Sequence, residues 1–324
     1  MGPFPEPAVE SATTFASRPW RRWFQFRLRT LLLLTSVTCL ALAWLAHERR
    51  YIAERREALQ AAGVKFARIE PQPTWRVWLL GDDTPRYARS IQLPRGATDA
   101  TFSVLGRLPE LDYLALGETE ITDQSLTKIA RYPNLRYLEF RETKISDAGL
   151  IYLHQLPKLQ SLGLGRTQIT DEGLKQLSRI PSLEYIHLNR VQITDAGLRT
   201  LGAVSTLKSL SLQCERTTDS GLESLRSLPH LNCLSLWGKN FTDSSLSVLK
   251  EFPHLTELLL SCDHVTDEGL EHLKSMKRLK VVHLWCRHVS FDAADELQRA
   301  LPGAKVYGPQ RRTASKSKAT AGTR

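Results

Sequence analysis

Ile169-Thr170-Asp171-Glu172-Gly173-Leu174, followed by Leu183-Glu184-Tyr185-Ile186-His187-Leu188, is the stretch that decides the fold. The phrase returns every 24 residues, with its Thr/Ser-Asp pair at Asp99, Asp123, Asp147, Asp171, Asp195, Asp219, Asp243 and Asp267. Self-similarity at one fixed period is the signature of a stacked array rather than a single globular core. Such arrays present long surfaces, which suits binding better than enclosed chemistry.

The unit Ile145–Gln168 shows how one period folds. Leu159, Leu162 and Leu164 place apolar residues on one face of a short strand. Leu150, Leu153 and Leu156 recur every three residues, which predicts a helical or 3₁₀ segment. Asp147, preceded by Ser146, is expected to accept from the first free N–H groups of that helix. Pro157 ends it, and prolines 109, 133, 181, 229 and 253 repeat the stop, with Ser205 and Lys277 in its place in two copies. Gly149, Gly173, Gly197, Gly221 and Gly269 share a column with Thr101, Ser125 and Ser245. The substitutes are all small, so the column needs space rather than a positive φ. One unit buries too little to offset its own chain entropy, and stability has to come from neighbours.

The pattern L-x-x-L-x-L-x-x-T-x-I-T-D-x-G-L resembles the leucine-rich repeat, in the variant of F-box leucine-rich-repeat domains. Eight copies run from about Ala97 to His288, close to 60% of the chain. The resemblance implies an α/β solenoid with a parallel sheet on the concave face and helices outside. It names no ligand. One column departs from the pattern: Thr119, Thr143 and Thr167 give way to Val191, Glu215, Lys239, Asp263 and Arg287. A hydroxyl ladder satisfying loop backbone is therefore expected to break in the second half, with water or other side chains in its place.

The flanks suggest an anchored protein. Residues 1–19 are rich in Pro, Ala and Ser and read as disordered. Residues 20–46 join a basic-aromatic run, Trp20 to Arg29, to an uncharged stretch from Thr30 to Ala46, so the membrane-embedded part is placed at 26–46. A retained signal anchor is the leading reading, against a cleaved signal peptide ending near Ala41-Leu42-Ala43 and a buried helix of a soluble protein. Arginines 18, 21, 22, 27 and 29 precede the span and arginines 49, 50, 55 and 56 follow it. That one-residue excess puts the N-terminus in the cytoplasm and the repeats outside. Residues 47–62 read as a juxtamembrane helix, 63–96 as an N-terminal cap containing Trp75-Arg76-Val77-Trp78 and Leu79-Leu80-Gly81-Asp82-Asp83, 97–308 as the repeat domain with a degenerate last unit, and 309–324 as a disordered basic tail. Together these features resemble membrane-anchored leucine-rich-repeat proteins of planctomycete bacteria.

Charge argues against nucleic acid as a partner. The net charge is +10, but residues 1–60 carry +4 and residues 309–324 carry +5, which leaves about +1 on the body. A nucleic-acid reader concentrates positive charge on its folded face. No P-loop, dinucleotide fingerprint, HExxH or nucleophile elbow occurs, so no enzyme activity, catalytic residue or cofactor is assigned. One cluster leaves alternatives open. Cys262-Asp263-His264 and Cys286-Arg287-His288 sit one period apart. With the middle residue inward, Cys and His point out. They are then free surface groups, a Cys262–Cys286 disulfide, or a tetrahedral zinc corner.

Outward strand positions include Tyr113, Tyr137, Glu139, Arg141, Tyr185, His187, Asn189, Gln213, Trp237, His283 and Trp285. Tyr, Trp and Arg are the usual anchors of protein interfaces. The candidate partner-binding set is Tyr113, Tyr137, Arg141, Tyr185, His187, Trp237, His283 and Trp285. Ser161, Gly163 and Gly165 make a smooth patch beside it, and Ser261 leaves a gap between Trp237 and Trp285. The expected function is a membrane-anchored scaffold that binds a protein ligand. The alternative is a cytoplasmic-facing receptor that recruits a substrate, as F-box leucine-rich-repeat proteins do.

Overall fold

The computed structural model describes residues 19–61, 63–69, 88–106, 108 and 111–308. The start up to residue 18, the aromatic stretch at 75–83 and the tail from 309 lie outside the described residues. The chain divides into two units, one holding the apolar N-terminal helix and one the repeats.

Pro19–Ala61 is one helix. Its apolar part, Thr30–Arg50, has 21 residues and a mean hydropathy of 1.8. At 1.5 Å per residue it is about 31 Å long, close to the hydrocarbon core of a bilayer. Leu31, Leu33, Leu40, Leu42 and Trp44 are exposed. The hydroxyls of Thr35 and Ser36 both donate to the Leu32 carbonyl, at 2.9 and 2.8 Å, which satisfies polar groups within the apolar stretch. Gly63, at φ 63°, follows the helix and bonds back to Gln60.

The repeats form an eleven-stranded sheet in sequential order. Its strands are β1 Lys65–Ile69, β2 Ala88–Gln92, β3 Tyr113–Ala115, β4 Tyr137–Glu139, β5 Ser161–Gly163, β6 Tyr185–Asn189, β7 Ser209–Gln213, β8 Cys233–Thr242, β9 Glu257–His264, β10 Val281–Leu284 and β11 Lys305–Tyr307. β1 pairs antiparallel to β2. From β2 onward every pair is parallel, ten strands in all. Alternation sets the faces. In β6, Ile186 and Leu188 are buried and Tyr185 and His187 are exposed. A short helix begins at each repeated aspartate, and the inward leucines of all coils merge into one core.

The aspartate works differently from the expectation. Ser146 and Thr170 are the N-caps of their helices, each accepting from a backbone N–H two residues on. The aspartate in the first turn reaches to the next coil instead. Asp147 accepts from Thr170 N at 2.9 Å and from Thr170 Oγ1 at 2.6 Å. Asp171 does the same to Thr194, Asp195 to Thr218, Asp219 to Thr242 and Asp243 to Thr266. The hydroxyl of each link donates to the coil before it and, at most positions, accepts from its own helix.

The small-residue column follows from this link. A Cβ added at Gly149, Gly173, Gly197, Gly221 or Gly269 would collide with the carboxylate of the preceding coil. None of these glycines has a positive φ. Where serine replaces glycine, its hydroxyl joins the link: Ser125 donates to Asp99 and Ser245 to Asp219. Burial pushes the Asp99 pKa up, but hydrogen bonds from Ser125 and Thr122 outweigh it and hold the carboxyl below the ordinary 3.8. The stabilisation from this link is therefore complete above the ordinary value and is lost as pH falls through the lowered one.

The ladder column also needs correction. Thr119, Thr143 and Thr167 are buried and donate to the carbonyls of Leu116, Phe140 and Leu164 at 2.6–2.7 Å. They turn inward because the residue before each, Glu118, Glu142 or Arg166, has a φ of 52–61°. Val191 keeps this geometry behind Arg190, at φ 58°. Later coils leave the strand extended instead. Strict alternation then brings Cys214, Cys262 and Cys286 inward and leaves Glu215, Lys239, Asp263 and Arg287 exposed. The thiols take over part of the ladder: Cys214 Sγ donates to Leu188 O at 3.0 Å and Cys262 Sγ to Leu236 O at 3.4 Å. Burial pushes the Cys214 thiol up to about 11. Its hydrogen bond with Cys286, followed by burial, pushes the Cys262 thiol up as well. Both stay protonated at neutral pH and are poor nucleophiles.

The last coil closes the sheet. Helix Phe291–Ala300 buries Leu297, and the Gln298 amide accepts from Val306 N at 2.9 Å while donating to Leu301 O and Ala304 O. This side chain occupies edge-strand backbone that would otherwise template pairing with another chain.

Two stability outcomes follow. Asp171→Ala leaves Thr194 N–H without its acceptor and should cost about 1–3 kcal/mol in urea unfolding. Gly197→Ala should also destabilise, with Gly197→Ser less damaging because its hydroxyl bonds Asp171; equal stability of all three with wild type would refute the link. Leu210, fully buried on β7, should cost about 2–5 kcal/mol when cut to Ala. The lost protection should spread to β6 and β8, and a change below about 0.5 kcal/mol would place Leu210 outside the core.

Candidate recognition surface

The outward residues of the parallel strands form ladders across the sheet, one residue per coil. Pairing aligns Tyr113 with Tyr137, Tyr137 with Ser161, and Ser161 with Tyr185. Tyr113 and Tyr137 are about 40% exposed, with ring centroids 6.2 Å apart. Tyr185 stands apart from them across Ser161.

A second group lies at the C-terminal end. Trp237 and Trp285 are two coils apart and share Ser261 as the intervening residue in their ladder. Their indoles lean over that serine, with centroids 5.3 Å apart and planes at 38°. The expected gap is therefore closed by the rings themselves. His283 continues the row at 5.1 Å from Trp285, and Tyr307 stacks on His283 at 4.4 Å with planes within 7°. Trp237 is oriented by its Nε1, which donates to Ser235 Oγ at 2.6 Å. Four rings, on β8, β10, β11 and the residue that follows β10, thus make one aromatic row, with Tyr307 nearly half exposed at its end. Sequence reasoning missed Tyr307, although it lies one period beyond His283.

Arg141 and His187 come together elsewhere. They line a concavity of about 510 Å³ with Glu139, Arg166, Arg190 and Gln213. The smooth patch is not open: the Glu139 carboxylate occupies the space where Gly163 would carry a Cβ. Glu139 also accepts from Arg141 N at 3.0 Å. Arg166 pairs with Glu142 at 2.6 Å.

The Cys/His corner does not assemble. Cys262 and Cys286 turn into the core as free thiols, with Cys262 N 3.5 Å from Cys286 Sγ. His264 and His288 are exposed. The expected outward direction holds for the histidines and fails for the cysteines, because the extended strand carries each cysteine to its inward face and leaves the middle residue exposed. Among the described residues, no three His, Cys, Asp or Glu side chains converge as a metal site would require.

The Leucine Rich repeat family matches residues 133–153 and 155–178. No curated protein matches the chain. Among solved structures, an internalin from Listeria monocytogenes is similar at 21% identity and a TM-score of 0.44, covering 64% of this chain and 69% of its own. The repeat pattern and the sequential parallel sheet make the fold a leucine-rich-repeat solenoid preceded by one apolar N-terminal helix, and the family model matches two of its coils.

Proposed function

We propose that this protein is a membrane-anchored scaffold that displays its concave face to a protein ligand outside the cytoplasm. Leucine-rich-repeat domains generally bind proteins and are usually non-catalytic. The observation that carries the reading is the aromatic row Trp237–Trp285–His283–Tyr307 on the outer face of the sheet. Aromatic side chains with little rotamer freedom are the strongest anchors of protein interfaces. Tyr113, Tyr137, Arg141, Tyr185 and His187 extend the proposed face along the array. The anchor rests on Thr30–Arg50, a candidate span whose residues Thr30 to Ala46 carry no charge and whose leucines are exposed, as in a bilayer-spanning helix. Its orientation rests on the arginine excess before the span.

Replacing Trp237 and Trp285 by Ala should leave unfolding nearly unchanged but weaken partner capture from native membranes, each indole contributing about 2 kcal/mol or more. Lys175→Ala with Arg199→Ala on the helical side should have little effect. Undiminished capture by the double tryptophan variant would remove the concave face from the account. Full-length protein should resist carbonate extraction, and alkaline phosphatase fused after Tyr307 should be active. An expressed but inactive fusion would place the array in the cytoplasm and favour the substrate-recruiting receptor.

A further inference from the structure

We propose that the change in coil geometry at β7–β9 forms a site for an acidic segment of a peptide partner. The inference rests on the concave-face reading and adds the chemistry of what is recognised there. As far as Arg190, coils leave the sheet through a residue of positive φ. Beyond it the strands run on. Gly238 reaches φ 122°, and the pairing of β8 with β9 shifts register between Gly238 and Thr242. Local departures from an otherwise regular pattern are where function concentrates in folded proteins.

The change in geometry opens a concavity of about 720 Å³ lined by Arg190, Arg216, Lys239, Trp237, Glu215 and Asp263, among others. In the columns that reach this concavity the earlier coils pair their charges: Glu142 and Arg166 stand in the column of Arg190, and Glu120 and Lys144 in that of Arg216. Arg95 pairs with Glu118, Lys144 with Glu120, Arg166 with Glu142, Lys208 with Glu184 and Arg226 with Glu251. Among the described residues, Arg190, Arg216, Lys239, Glu215 and Asp263 form no such pair. The pairing that these two columns show in earlier coils lapses at this cavity, beside an indole.

The residue types define the ligand. Arg190 and Arg216 offer planar guanidinium forks suited to carboxylates, and Lys239 adds a third cation. Trp237 gives the neighbouring part of a ligand an apolar surface. Glu215 and Asp263 on the same rim repel a chain of uniform negative charge, such as a nucleic acid or polyphosphate. They tolerate a peptide whose carboxylates alternate with other residues. The site therefore selects spaced acidic side chains.

The test uses full-length protein in detergent micelles and a fluorescein-labelled peptide of alternating glutamate and alanine, read by anisotropy. Wild type should bind it saturably and not bind the lysine-alanine counterpart. Arg190→Gln with Arg216→Gln should weaken binding by about tenfold or more. Lys277→Gln with Arg278→Gln removes the same charge where the side chains bond the Ala300 and Pro253 carbonyls, and should leave binding unchanged. Absence of peptide binding by wild type, or equal weakening by both double variants, overturns the proposal. The two readings fail separately. Partner capture that needs Trp237 and Trp285 but is indifferent to the arginines and to competing acidic peptide keeps the concave face and rejects the acidic ligand. Arginine-dependent peptide binding beside tryptophan-independent capture keeps the site and rejects the concave face as the partner's seat.

Discussion

The carboxylate that each coil extends to the next is the interaction on which the solenoid depends. Asp171 accepts both the N–H and the hydroxyl of Thr194, the residue that caps the following helix. The link therefore joins neighbours and completes a helix end at once. It requires a hydroxyl residue before the aspartate, a side chain of one fixed length, and an empty space at the small-residue column. These three requirements explain why Thr/Ser, Asp and Gly/Ser repeat so strictly while helix-surface positions vary. The ends of the array obey the same logic. Thr98 has no preceding aspartate and uses Thr101 in a capping box of its own, and Ser290 receives Asp267 only through its N–H.

Much of the fold was legible because its constraints are periodic. The inward leucines, the small column and the outward strand positions can be placed by counting, since alternation in a paired strand leaves little freedom. The direction of the aspartate was not legible. Capping its own helix and linking to the next coil use the same residues at the same spacing. The ladder misled for another reason. Whether Thr167 or Cys262 turns inward depends on the sign of one φ, and Glu118, Glu142, Arg166 and Arg190 adopt the left-handed region without a glycine or asparagine to announce it. That one difference reversed the expected orientation of Cys262 and Cys286 and removed the zinc corner.

The candidate surface shows a similar division. Counting placed Trp237, His283 and Trp285 on the concave face, but backbone spacing alone left a gap where the indoles meet. Large side chains two coils apart close about 10 Å of backbone separation by leaning toward each other. The row gains an exposed end at Tyr307 and loses its presumed pocket. The proposed recognition chemistry sits in the neighbouring concavity, where charges without an ion pair border Trp237. Regular coils supply the rigid sheet, and the change in coil geometry supplies a place on it unlike the rest.

Site-resolved amide hydrogen exchange tests the inter-coil link most directly. Thr122, Ser146, Thr170, Thr194, Thr242 and Thr266 are only half buried, yet each N–H donates to the aspartate of the coil before it. The account predicts that these amides are protected to the level of the buried strand amides and open together with them. Exchange of these amides at the rate of surface loops, while the strands stay protected, would show that the coils are held by their leucines alone.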